Sequence, residues 1–124
     1  MINRRKIYEK FGGHCAYCGA EIPFKKMQVD HYLSKFLARI RRNTDNDKYE
    51  NLMPSCAKCN NHKSGMSIEK WRREIALQVR RLKKNAQFGR ALRFGQIEIT
   101  ESPIVFFFEK WELNKGRDEN IKRQ

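Results

Sequence analysis

The fold is decided by two stretches of sequence, CAYC at Cys15–Cys18 and CAKC at Cys56–Cys59. Together they contain all four cysteines of the 124-residue chain. Thiolate pairs at this spacing are typical of a tetrahedral zinc ion, whereas a reducing cell interior disfavours disulfides. We therefore predict one structural Zn²⁺ site, with redox-active or merely buried thiol pairs as the alternative. Its ligands would be Cys15, Cys18, Cys56 and Cys59.

The interval between the two cysteine pairs is long. It contains 37 residues, whereas a simple zinc ribbon has about 15–20. The interval holds polar residues beside its predicted strands, and one more polar residue follows the last cysteine at the opening of a predicted helix. These residues are Asp30, His31, Asn51 and Asn60. Each alone is an ordinary turn or capping residue, but zinc binding is expected to bring them together.

Several short motifs follow one another in a specific order. After the first cysteine pair come VDH at Val29–His31, ENLMPSC at Glu50–Cys56 and CNNHKSG at Cys59–Gly65. This order resembles the HNH endonucleases, in their zinc-containing, four-cysteine form with the ββα-metal fold. The resemblance covers residues 15–65, and the chain after Ser67 matches none of the family's motifs.

The resemblance implies a metal-dependent endonuclease that hydrolyses DNA phosphodiester bonds, by nicking or by double-strand cleavage. His31 would be the general base that activates water, because histidine can accept a proton near neutral pH. Asn51 would position the base and the metal-binding loop through hydrogen bonds. Asp30 and Asn60 would bind one catalytic Mg²⁺ or Mn²⁺, since such cations prefer oxygen ligands.

The chain departs from the family at the position of the final histidine of the HNH motif. Many members have histidine where this chain has Asn60, so His62, two residues later, is an alternative ligand for the catalytic cation. His14 precedes Cys15, but four thiolates already fill a zinc site, so we expect it beside the site or exposed. Lys63 is expected to contact phosphate or solvent.

The charge of the chain predicts a polyanionic partner. Lysine and arginine number 27 against 14 aspartates and glutamates, a formal net charge of +13. Positive charge clusters in RIRR at Arg39–Arg42 and RRLKK at Arg80–Lys84. Such a field attracts nucleic acid, and the resemblance implies duplex DNA, although charge alone does not exclude other polyanions. The alternative function is a catalytically silent zinc module that binds nucleic acid or another protein.

The sequence also predicts the cellular location of the protein. It has no run of about 18 apolar residues, and its basic N-terminus lacks the apolar stretch of a signal peptide. We therefore expect a soluble cytoplasmic protein with no membrane partner. Its oligomeric state stays open between monomer and homodimer.

The pattern along the chain predicts an α+β fold with a zinc-stapled ββα-metal, treble-clef-like core, additional C-terminal helices and a hairpin. We expect one domain over 1–114, with a motif core at 15–65, a basic helical extension at 67–95, a hairpin at 96–112 and then a flexible charged tail at 115–124.

Apolar periodicity predicts the individual elements. Short helices are expected over 3–11, 32–42, 57–63 and 86–94, and short strands over 27–30 and 52–54. The clearest helix has an apolar stripe from Ile68 to Leu82, in which Trp71 is expected to be a core residue and not a base-stacking platform. The hairpin strands are Ile97–Thr100 and Ile104–Trp111, the second rich in aromatic residues.

Overall fold

The structure is a computed structural model that describes residues 2–43 and 45–123, with side chains as far as Gly116. In chain order its elements are α1 (Arg4–Glu9), β1 (Gln28–His31), α2 (Lys35–Ile40), β2 (Leu52–Ser55), α3 (Ala57–Lys63), α4 (Ile68–Ala76), α5 (Gln78–Leu82), α6 (Ala86–Arg93) and α7 (Phe107–Arg123).

The central feature is a two-stranded antiparallel sheet followed directly by a helix. In the pairing of β1 with β2, Asp30 lies opposite Met53 and His31 lies opposite Leu52. The helix α3 begins only two residues after β2, because Cys56 caps it: its Sγ accepts a hydrogen bond from the backbone N–H of Cys59 at 3.4 Å. This strand, strand and helix order confirms the predicted α+β fold class around a cysteine cluster.

The chain divides into two compact units. One contains Met1–Ile68 together with Val105–Gln124, and the other contains Glu69–Ile104. The boundary near Ile68 lies close to the predicted start of the helical extension. The larger prediction, that residues 1–114 form one domain, stays a prediction.

The unit Glu69–Ile104 contains most of the predicted basic extension. Trp71 is buried, as its place on the apolar stripe predicted. The single long helix expected here is instead two helices, α4 and α5. They are separated at Leu77, whose N–H is shared between the carbonyls of Arg73 and Glu74 at 3.2 Å each. Such a shared bond is common where a helix ends.

The hairpin predicted over 96–112 is wrong. Residues 97–106 form neither strand nor helix, and α7 begins at Phe107. The first turn of α7 is held by the first cysteine pair: the N–H of Phe107 donates to the carbonyl of Tyr17 at 3.0 Å, and that of Phe108 donates to Ala16 at 2.7 Å. These tertiary contacts outweigh the β-propensity of the aromatic residues.

α7 continues to Arg123, and the flexible charged tail predicted at 115–124 stays a prediction. Gln124 lies outside the described residues. No helix within residues 2–43 and 45–123 combines the length and the apolar character needed to cross a membrane.

Candidate metal centre and active site

The four cysteines converge on one point, as predicted. The Sγ atoms of Cys15, Cys18, Cys56 and Cys59 all lie within 4.8 Å of one another. Those of Cys18 and Cys56 are 3.9 Å apart. A tetrahedral zinc ion with Zn–S bonds of about 2.3 Å requires sulfur atoms about 3.8 Å apart. The cluster therefore fits a closed, four-thiolate zinc site.

Backbone N–H groups donate both between the two cysteine pairs and within the first pair. The N–H of Cys56 donates to Cys15 Sγ at 3.4 Å, which links the second pair to the first. The first pair is closed by a tight turn in which the N–H of Gly19 donates to the carbonyl of Cys15 at 3.0 Å. Gly19 has φ +81°, and an added Cβ would lie only 2.8 Å from Phe107 Cδ2. This turn therefore requires glycine.

The electrostatics of the cluster favour a cation. The hydrogen bond with Cys59, aided by backbone N–H donors, lowers the pKa of Cys15 to about 4. The same hydrogen bond raises the pKa of the Cys59 thiol, and burial raises the pKa of Cys18. Sulfurs this close cannot all ionise unless a positive charge neutralises them. A divalent zinc ion supplies that charge.

His14 is not part of the cysteine cluster. Its Nδ1 lies 3.1 Å from the carbonyl of Phe11, and its ring stacks on Phe107 at 5.1 Å between centroids. It therefore packs beside the first cysteine pair, where it helps to seat the start of α7.

Asp30 is a buried carboxylate with two partners. Tyr17 Oη donates to Asp30 Oδ2 at 2.5 Å, and Lys63 Nζ lies 3.1 Å from the same oxygen. Burial, followed by the charge of Asp30, raises the pKa of Tyr17, so its phenol stays protonated and donates. The carboxylate is thus held from the first cysteine pair on one side and from α3 on the other.

Lys63 corrects a prediction. It is fully buried, whereas we predicted contact with phosphate or solvent. Besides its ion pair with Asp30, its Nζ donates to the carbonyl of His31 at 2.9 Å. A buried ammonium is tolerated where a carboxylate neutralises it and a carbonyl accepts another of its protons. Lys63 therefore fixes both residues of the Asp30-His31 pair.

His31 contacts Asp47, which belongs to the polar loop before β2 (residues 43–47). Its Nε2 lies 2.6 Å from Asp47 Oδ1. The imidazole side chain is 13% exposed and the Asp47 side chain 66%. The hydrogen bond from His31 lowers the pKa of Asp47 below its ordinary value. The imidazole is thus oriented at one nitrogen by a carboxylate that faces water.

Asn51 ties the segment after His31 to the same polar loop. Its Oδ1 accepts from the N–H of Leu33 at 2.7 Å, and its Nδ2 donates to the carbonyls of Leu33 at 3.1 Å and Asn46 at 2.6 Å. Its backbone carbonyl also accepts from the N–H of Tyr32 at 2.8 Å. Every polar atom of the side chain is therefore engaged with backbone.

Asn60 lies where α3 faces β1. Its Nδ2 donates to Gln28 Oε1 at 2.6 Å, and Lys63 contacts Asp30 three residues further along the helix. Residues two apart share a strand face and residues three apart share a helix face. Asp30 and Asn60 therefore share the β1–α3 interface, whereas His62 is exposed.

Three residues at the site carried no role in the sequence-based prediction. Tyr17 stands inside the CAYC motif, and its position between two zinc ligands was the available signal. Gln28 precedes Asp30 by two residues, which places it on the same strand face. Asp47 belongs to the polar loop NTDND, where nothing in the pattern distinguishes it from its neighbours.

The comparisons with known proteins agree with this geometry. The family model of the HNH endonuclease matches residues 15–65, which is less than half of the chain. That segment contains the strand, strand and helix core and all four clustered cysteines. The segment is therefore similar to HNH endonucleases, and its four clustered cysteines fit their zinc-containing form, which confirms the resemblance and indicates a function of the nuclease type. Comparison with curated proteins and with solved structures gives no match.

Proposed function

We propose that the protein is a metal-dependent HNH endonuclease that hydrolyses phosphodiester bonds in DNA. The observation that carries the proposal is the fixation of two adjacent residues at the end of β1. Asp30 is held by Tyr17 and Lys63, and His31 by Lys63 and Asp47. A strand end fixed from three other segments is what an oriented base and a cation ligand require.

His31 is the proposed general base. When Nε2–H donates to Asp47, the lone pair of the neutral imidazole lies on Nδ1, which can take a proton from water. Asn51 keeps the following segment in place through its bonds to Leu33 and Asn46, so it positions the base without exchanging a proton.

Asp30 and Asn60 are the proposed ligands of Mg²⁺ or Mn²⁺, with His62 as the alternative to Asn60. A carboxylate and an amide carbonyl are hard oxygen donors that suit either cation. The contacts of Tyr17 and Lys63 with the Asp30 carboxylate both go to Oδ2, so Oδ1 is the oxygen proposed for the cation. The chemistry supplied by such a cation is charge stabilisation on the scissile phosphate and the leaving oxygen.

Duplex DNA is the proposed substrate. The formal charge of +13 supports attraction to phosphates, and the arginines of the RIRR segment are exposed at Arg39, Arg41 and Arg42. The lysines and arginines of Arg80–Lys84 are exposed as well. Such contacts hold the DNA backbone and carry little sequence information.

The test is nicking of supercoiled plasmid in Mg²⁺ or Mn²⁺ by the wild type and by His31→Ala. We expect nicking by the wild type alone, with equal DNA binding by both proteins in a gel-shift assay. Equal nicking by the two preparations would indicate a contaminating nuclease and would remove His31 as the base.

A second candidate is a catalytically silent zinc module that binds nucleic acid or protein. The ion pair between Lys63 and Asp30 favours it, because an ammonium already neutralises the carboxylate proposed for the cation. This candidate predicts DNA binding with no cleavage of supercoiled, linear or branched DNA in either cation.

A further inference from the structure

Tyr17 connects the zinc site to the candidate active site. It lies between Cys15 and Cys18 in sequence, yet its side chain is buried and its Oη reaches Asp30 Oδ2 at 2.5 Å. Tyr17 is therefore the side chain through which the first cysteine pair contacts the carboxylate on β1.

Contacts with residues 106–108 fix both the ring and the backbone of Tyr17. Its ring lies edge-on to those of Phe106 and Phe108, at 5.8 Å and 6.2 Å between centroids. Its carbonyl accepts a hydrogen bond from the N–H of Phe107 at 3.0 Å. The start of α7 thus packs on the ring and bonds to the backbone, so the phenol has little freedom to leave Asp30.

We infer that Tyr17 is a positioning residue that sets the orientation of the Asp30 carboxylate, and thereby couples a folded zinc site to binding of the divalent cation. The inference rests on the proposed function in that it takes Asp30 to be a ligand of that cation. With Oδ2 held by the phenol and by Lys63, Oδ1 is the oxygen with a fixed direction for the cation. Hydrogen-bond partners of metal ligands typically change metal affinity about 10- to 100-fold when they are removed.

The experiment compares Tyr17→Phe with the wild type in zinc-loaded, full-length protein. The variant keeps the ring and its packing, and it removes only the hydroxyl. The matched control is Tyr8→Phe, whose hydroxyl donates to the carbonyl of Ile22 at 2.8 Å and has no bond to Asp30. Mn²⁺ binding is measured by electron paramagnetic resonance of free Mn²⁺, with zinc content and circular dichroism measured on the same samples.

We expect Tyr17→Phe to weaken Mn²⁺ binding about 10-fold or more while zinc content and circular dichroism stay those of the wild type. Its nicking activity should fall at low Mn²⁺ and recover at high Mn²⁺. Tyr8→Phe should bind Mn²⁺ like the wild type. A purely structural role for Tyr17 would lower the melting temperature without moving the Mn²⁺ affinity of the folded protein.

The outcomes separate this inference from the proposed function. Unchanged Mn²⁺ affinity in Tyr17→Phe overturns the inference, and nicking by the wild type would then still support the nuclease. Weakened Mn²⁺ binding in a protein that never nicks DNA supports the role of Tyr17 and overturns the nuclease. A wild type that binds no Mn²⁺, or an equal loss in Tyr8→Phe, also overturns the inference.

Discussion

Lys63 Nζ lies 3.1 Å from Asp30 Oδ2, and the two side chains are only 0% and 7% exposed. Their charges neutralise each other away from water, so neither can be removed alone without leaving an uncompensated buried charge. The pair therefore joins α3 to β1, and removal of either side chain should destabilise the fold.

Replacement of Lys63 by methionine should destabilise the zinc-loaded protein by about 3–5 kcal/mol, because the Asp30 carboxylate stays buried without its partner. Urea unfolding followed by circular dichroism measures the loss. The control is Lys48→Met, which breaks the exposed ion pair with Asp45 and should cost less than about 1 kcal/mol. Equal effects of the two substitutions would contradict the buried pair.

The pKa of Asp47 should depend on His31. Because the hydrogen bond from His31 lowers that pKa, its stabilising effect is present above the ordinary aspartate pKa of about 3.9 and is lost as the pH falls through the lower folded value. In His31→Ala the pKa should rise toward the ordinary value. Carboxyl ¹³C shifts measured by NMR across the acid range report it directly. His62→Ala, a change at an exposed histidine, should leave it unchanged.

Removal of zinc should unfold the protein. Zinc binding at structural sites contributes about 10–16 kcal/mol that is coupled to folding, and here the ion would replace core that the short elements cannot supply. A strong chelator should abolish the circular dichroism signal of the helices, whereas removal of Mg²⁺ alone should leave it intact. Retention of the signal after loss of zinc, verified by metal analysis, would refute the structural role.

Gly19→Ala should test the seating of α7 on the first cysteine pair. The positive φ should cost about 1–2 kcal/mol, and the close approach of Phe107 about 1–3 kcal/mol more. Gly95→Ala is the matched control, because Gly95 has φ +70° but no atom of the described residues lies within 4 Å of an added Cβ. Thermal unfolding of both variants separates the two effects. If they lose equal stability, the contact with Phe107 is not restrictive.

Asn51→Asp should impair cleavage without loss of zinc. The substitution preserves shape but replaces a donor by an oxygen that faces the carbonyls of Leu33 and Asn46, at a cost of about 1–3 kcal/mol for the groups left unpaired. Plasmid nicking and zinc content, measured on one preparation, check the prediction. Full activity with normal zinc content would show that Asn51 does not position the base.

The core of the fold was predictable because its determinants are local. The cysteine pairs, the strand that ends at His31 and the helix that follows Cys56 are each encoded within a few residues. The helical repeat also places Asn60 and Lys63 on one face of α3, although the sequence did not show that this face is turned inward.

The rest depended on contacts between distant segments. The burial of Lys63 required a carboxylate from β1, which the sequence around Lys63 does not contain. The aromatic run at Phe106–Phe108 has strand propensity, but the carbonyls of Ala16 and Tyr17 bond to its N–H groups and start a helix instead. Propensity is a weak guide where another segment completes the hydrogen bonds.

During synthesis on the ribosome, the hydrogen bonds from Phe107 and Phe108 to the first cysteine pair can form only after all four cysteines have been made. All four zinc ligands have been synthesised by Cys59, but the carbonyls of Ala16 and Tyr17 receive these partners only when the start of α7 emerges. Such a contact joins residues about 90 positions apart, so it cannot form until the second of them has been synthesised. A nascent chain can therefore bind zinc before the start of α7 bonds to Ala16 and Tyr17. A fragment that ends at Gly65 would lack these hydrogen bonds.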